Sequence, residues 1–102
     1  MAKLKLVISV EKKTRISNKE NEEYIILRNK ISYNIKKYRK LNNFTQEELA
    51  ENANISYDFM RRIEGSAGTC GFSVFTLYKI ALALNVSVDK LMELELKDFV
   101  KE

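Results

Sequence analysis

The sequence predicts a mainly α-helical fold, five helices preceded by one short N-terminal strand. Three observations predict it. Apolar residues recur every three or four positions from Tyr24 to Met92, the period of helices that bury one side. A hydroxyl residue (Thr45, Ser56, Ser73 or Ser87) stands just before each of the last four apolar runs, where its oxygen can accept a free backbone N–H. Asparagine or glycine follows the first four runs, at Asn42-Asn43, Asn54, Gly65 and Asn85, and these residues tolerate the left-handed backbone of a helix stop.

The elements follow in order. In LKLVISVE, Leu4, Leu6, Ile8 and Val10 alternate with Lys5, Val7, Ser9 and Glu11, the period of a half-buried strand. A lone strand needs a partner. Two readings stay open: it packs on its own domain, against Glu93–Lys97, or it pairs across a dimer. Residues 12–23 are polar and read as a connector. From Glu22 the period becomes helical, with Tyr24, Leu27, Ile31, Ile35 and Tyr38 in one stripe. Thr45 and Glu48 have capping-box spacing at the start of a helix over 46–53, so each side chain can bond the other's backbone N–H. Leu49, Ala50 and Ala53 are its inward residues. Ser56 opens a helix over 57–64, with Met60 and Ile63 inward and Phe59 undecided. The loop GSAGTCG holds all three glycines of the chain. Ser73 caps a helix that turns Val74, Leu77, Ile80, Ala81 and Leu84 inward. Ser87 caps a last helix to about Glu93, with Val88, Leu91 and Met92 as its apolar side. The tail reads as a strand or a helix continuation. Three segments result: residues 1–22, strand and connector; 23–95, a helical domain; 96–102, a tail.

Composition narrows the function classes. The chain has 102 residues, no histidine, no proline and a single cysteine. An intramolecular disulfide is therefore excluded, which agrees with a reducing, cytoplasmic setting. No metal-ligand cluster and no nucleophile–base pair is spaced for chemistry, so an enzyme is not expected, nor a cofactor. Cys70 reads as an incidental thiol. The Gly65, Gly68, Gly71 spacing reads as a connector, since a phosphate loop needs a preceding strand and a Lys-Ser/Thr pair. Neither a signal peptide nor an apolar run long enough to span a membrane is visible. The net charge is +4, and it is concentrated. Arg28, Lys30, Lys36, Lys37, Arg39 and Lys40 fall within thirteen residues that contain no acid. Such a run beside a compact pair of helices suits a phosphate backbone.

The helices at 46–53 and 57–64 form such a pair. Ala50 is small where the second helix crosses the first, and Asn54 tolerates a positive φ in the turn. The stretch TQEELAENANISYDFMRRIEGS resembles the helix-turn-helix of the lambda-repressor-like (Cro/repressor) family. FTLYKIALALNVSVDKLME resembles that family's fourth and fifth helices, and KYRKLNNFTQEELA its first-to-second helix junction. The resemblance covers about residues 30–93, with all five helices in order. It differs in three places. Asn54 stands at the usual turn glycine. Gly65 comes one residue early, with Ser66 in its place. The loop that follows is about two residues longer.

The resemblance implies double-stranded DNA as partner and a two-fold homodimer. Gln46 matches a position that usually binds phosphate. Tyr57, Asp58, Arg61 and Arg62 match positions that read bases or touch phosphate. Arg62, or else Arg61, is expected to pair with guanine O6 and N7. Asp58 either accepts from cytosine N4 or complements its own helix dipole. Ser56, Lys36, Arg39 and Lys40 join Gln46 as expected phosphate contacts, which position without reading sequence. The function expected is a transcriptional repressor on an inverted repeat. The alternative is an antitoxin or adaptor on the same fold, binding a protein through the N-terminal strand or the Phe99-Val100 tail.

Overall fold

A computed structural model describes residues 18–65 and 71–99. The elements are α1 (Asn18–Leu41), α2 (Gln46–Ala53), α3 (Tyr57–Gly65), α4 (Val74–Leu84), α5 (Val88–Leu91) and a closing 3-10 turn (Leu96–Phe99). Five α-helices in the expected order make the fold mainly α-helical, and no strand occurs among the described residues. The expected strand at 4–11, Ser66, Cys70 and Val100 lie outside them.

Local chemistry sets most boundaries. At α2, Thr45 Oγ1 accepts the Glu48 N–H at 3.0 Å and Glu48 Oε1 accepts the Thr45 N–H at 2.9 Å. Ser56, Ser73 and Ser87 accept from Phe59, Thr76 and Lys90 in the same way. The stops of α1, α2 and α4 share one device. Asn43, Asn54 and Asn85 sit at φ 60°, 59° and 61°. The next residue, Phe44, Ile55 or Val86, sends its N–H back five residues and packs its side chain on the core. That is a Schellman stop with its usual apolar contact.

The core joins Ile31 and Ile35 of α1, Leu49, Ala50 and Ala53 of α2, Met60 and Ile63 of α3, Leu77, Ile80, Ala81 and Leu84 of α4, and Leu91 of α5. Two polar residues of α1 tie the helices together. Ser32 Oγ donates to the Ile63 carbonyl at 2.6 Å, and Asn34 Nδ2 donates to the Leu91 carbonyl at 2.9 Å.

Four expectations are corrected. α1 begins at Asn18, not Glu22. Lys and Glu are good helix formers, and the all-polar sequence Asn18–Asn21 carries no apolar signature. Tyr24 is exposed. α1 is about 36 Å long at 1.5 Å per residue, nearly the 41 Å length of the molecule, and the shorter helices cannot cover all of it. Val74 is 80 % exposed, because side chains lean toward a helix's N-terminus and Val74 is the first residue of α4. Met92 is exposed because α5 stops at Leu91. The tail resolves into the 3-10 turn, in which Asp98 accepts the Glu95 N–H and meets Lys30 of α1 at 3.5 Å.

Candidate nucleic-acid interface

α3 has two contrasting sides. Met60, Ile63 and Glu64 are buried, whereas Tyr57, Asp58, Arg61 and Arg62 are exposed. At about 100° per residue these four span roughly 140° of arc. They form one polar face on a helix whose other side is anchored in the core. The face is internally connected. Asp58 Oδ2 meets Arg62 Nε at 3.2 Å, and Asp58 Oδ1 meets Arg61 Nη2 at 3.5 Å. The Arg61 guanidinium lies 5.5 Å from the Tyr57 ring centre, and that of Arg62 5.7 Å from Phe59. Phe59 is half-buried against the core, so it supports the face from beneath.

Two of the expected phosphate residues meet at one carboxylate. Arg39 of α1 gives Glu64 of α3 two bonds, Nε to Oε2 at 2.7 Å and Nη2 to Oε1 at 3.1 Å. Gln46, the first residue of α2, donates Nε2 to Glu64 Oε1 at 2.9 Å. Arg39 Nη1 also donates to the Phe44 carbonyl at 2.9 Å. The Glu64 side chain is fully buried and that of Arg39 is 11 % exposed. Arg39 thus uses three of its five N–H donors to join α1 to α3 and to the turn before α2. The Gln46 amide keeps a second N–H to give, with its orientation fixed by Glu64.

Glu64 was not among the expected site residues. Its signal in the sequence was weak: one turn after Met60, it falls at the border between the apolar arc of α3 and Tyr57, and only its burial shows that the carboxylate needs charged partners. Its partners lie 18 and 25 residues away, beyond any local pattern.

The other expected residues are placed as follows. The Ser56 hydroxyl caps α3 and keeps its O–H free to donate. Lys36 and Lys40 are exposed on α1, about 60° and 100° around the helix from Arg39. Neither forms an ion pair with a described residue. Arg28, part of the basic run, is not on the surface. It is 2 % exposed, bonded to Ser32 and 4.6 Å from the Phe72 ring centre. Lys30 is tied to Asp98. The exposed cations of the run are therefore Lys36, Lys37 and Lys40. Among the described residues no helix is long and apolar enough to cross a membrane.

Comparison with curated proteins and with solved structures gives no match. The family model of the Cro/C1-type HTH DNA-binding domain matches residues 34–97, more than half of the chain. The match opens within α1, takes in all of α2 to α5 and closes in the 3-10 turn. The chain therefore belongs to the Cro/C1-type helix-turn-helix DNA-binding family.

Proposed function

We propose that this protein is a transcriptional repressor that binds an inverted repeat as a homodimer. α3 lies in the major groove with Arg61 and Arg62 toward the base edges and Tyr57 beside them. Gln46, Ser56, Lys36 and Lys40 hold the phosphates on either side, while Arg39, expected as a phosphate contact, orients Gln46 through Glu64. The observation that carries this reading is the polar arc of α3, backed by core residues and flanked at Glu64 by two phosphate-binding residue types. A guanidinium offers paired N–H groups that fit guanine O6 and N7, and exposed lysines supply the salt-dependent part of the affinity.

An apolar stripe on α4 supports the dimer. Val74, Phe75, Tyr78 and Leu82 are all at least half exposed. Covering it on two copies would remove on the order of 900 Å², below the ~1,200 Å² of a stable pair. The free protein is then a weak dimer, completed on paired half-sites centred about 34 Å apart. Repression needs only occupancy of such a site.

The test is selection from random duplex pools, followed by gel shift. An inverted repeat containing guanine should be enriched, and Arg62→Ala should weaken binding to it by about 1–3 kcal/mol. No enriched motif, with Arg62→Ala binding as the wild type does, would refute the reading.

A further inference from the structure

We propose that Asp58 reads no base, and that its carboxylate is the shared counter-ion of Arg61 and Arg62 that sets how sharply they discriminate. The inference rests on α3 being the reading helix. Its own observation is the geometry of the three side chains in the free protein. One oxygen of Asp58 faces Arg62 Nε at 3.2 Å and the other faces Arg61 Nη2 at 3.5 Å. The acid is three and four residues before the arginines, a spacing that places it beside both on the helix surface. Each guanidinium also leans on a ring, Tyr57 for Arg61 and Phe59 for Arg62. Both are held from two sides.

The atoms used decide what this tether does. Arg62 is held through Nε, which leaves its two Nη groups unengaged by the carboxylate. That pair can still approach guanine O6 and N7 end-on. Reading a base therefore does not require Arg62 to leave Asp58. Gripping an arbitrary phosphate does require it, because the arginine must swing toward the backbone. Asp58 would then be left unpaired and facing a polyanion. The carboxylate thus hinders sequence-blind binding more than it hinders reading. A cytosine N4 donor would also have to compete with two cations for the same two oxygens.

The experiment uses the full chain, the motif selected by the wild type and an unrelated duplex. D58N keeps the shape and removes the charge. Its affinity for the unrelated duplex should rise about three- to tenfold, in line with loss of two exposed ion pairs. Its affinity for the motif should change less than about threefold, so the specificity ratio falls. D58E retains a carboxylate at the same spacing and should restore the ratio to within about twofold. Selection with D58N should give the same motif with weaker guanine preference. In the free protein, the Arg62 Nε–H resonance should move on D58N and return on D58E. Asp58 is exposed, so melting temperatures should stay within a few degrees.

An unchanged specificity ratio in D58N, or loss of preference for a single cytosine with binding to the unrelated duplex unaltered, would overturn the tether while leaving base reading by α3 in place. A wild-type protein that enriches no motif would overturn both.

Discussion

Replacing Arg39 by leucine keeps an apolar stem and removes the guanidinium. The Glu64 carboxylate, fully buried, then loses both bonds from Arg39 and keeps only the one from Gln46. The bond that holds the Phe44 carbonyl is lost as well. Breaking one side of a buried ion pair costs about 3–5 kcal/mol, since the remaining charge has no compensation. For a domain whose total stability is about 5–15 kcal/mol, this is a large fraction. At about 4–8 °C per kcal/mol for this size, the melting temperature should fall by at least roughly 12 °C. Replacing both partners with leucine behaves differently. No charge is left buried, and an apolar pair of similar volume is often neutral. The double variant should therefore lie within about 1.5 kcal/mol of the wild type, so that with any cost of Glu64→Leu alone the coupling is at least about 1.5 kcal/mol. Equilibrium urea unfolding followed by far-UV circular dichroism measures all four proteins, with unchanged m-values as the check on two-state behaviour. A cost below about 1 kcal/mol for Arg39→Leu, or a double variant equal to the sum of the singles, would refute the reasoning. The folded double variant should still bind DNA more weakly, because Gln46 loses the carboxylate that orients it.

Three further outcomes are expected. Asn54→Ala should cost about 1–2 kcal/mol in urea unfolding, because alanine at φ 59° brings Cβ against the following carbonyl, while Asn54→Gly should lie within about 0.5 kcal/mol of the wild type. Thr45→Ala removes half of the capping box and should cost about 1 kcal/mol, with the loss read from the same unfolding curves. Lys36→Ala and Lys40→Ala should each weaken binding equally on all duplexes and lower the salt slope by about 1 in a filter-binding titration; a selective loss on the motif alone would count against a phosphate role.

What was legible in the sequence was local. Thr45 with Glu48, Ser56, Ser73 and Ser87 announce helix starts within four residues, and Asn54 and Asn85 announce stops, because a cap is made by near neighbours. The outward set Tyr57, Asp58, Arg61 and Arg62 follows from the same period that turns Met60 and Ile63 inward. Long-range partners were not legible. Nothing near Arg28 in the sequence shows that Phe72 will cover it, so a count of cations overstates the exposed charge. Arg39 reads as a surface cation until Glu64 is placed against it. Val74 has an inward angle but lies at a helix end, where angle alone does not decide burial. A run of polar residues is silent to apolar periodicity, which is why the first turn of α1 reads as connector.

α1 is uninterrupted from Asn18 to Leu41, while the family match opens only at residue 34. Its upstream two thirds therefore extend the matched domain as continuous helix. Ser32 and Asn34, where that extension meets the matched part, pin α1 to α3 and α5. Exposed Tyr24 and Ile25 lie upstream of these pins, and Lys36, Arg39 and Lys40 lie downstream. One unbroken helix thus carries the Tyr24–Ile25 surface, the buried Arg28 and the Arg39 that fastens α3 at Glu64, so these features keep a fixed spacing along a single axis.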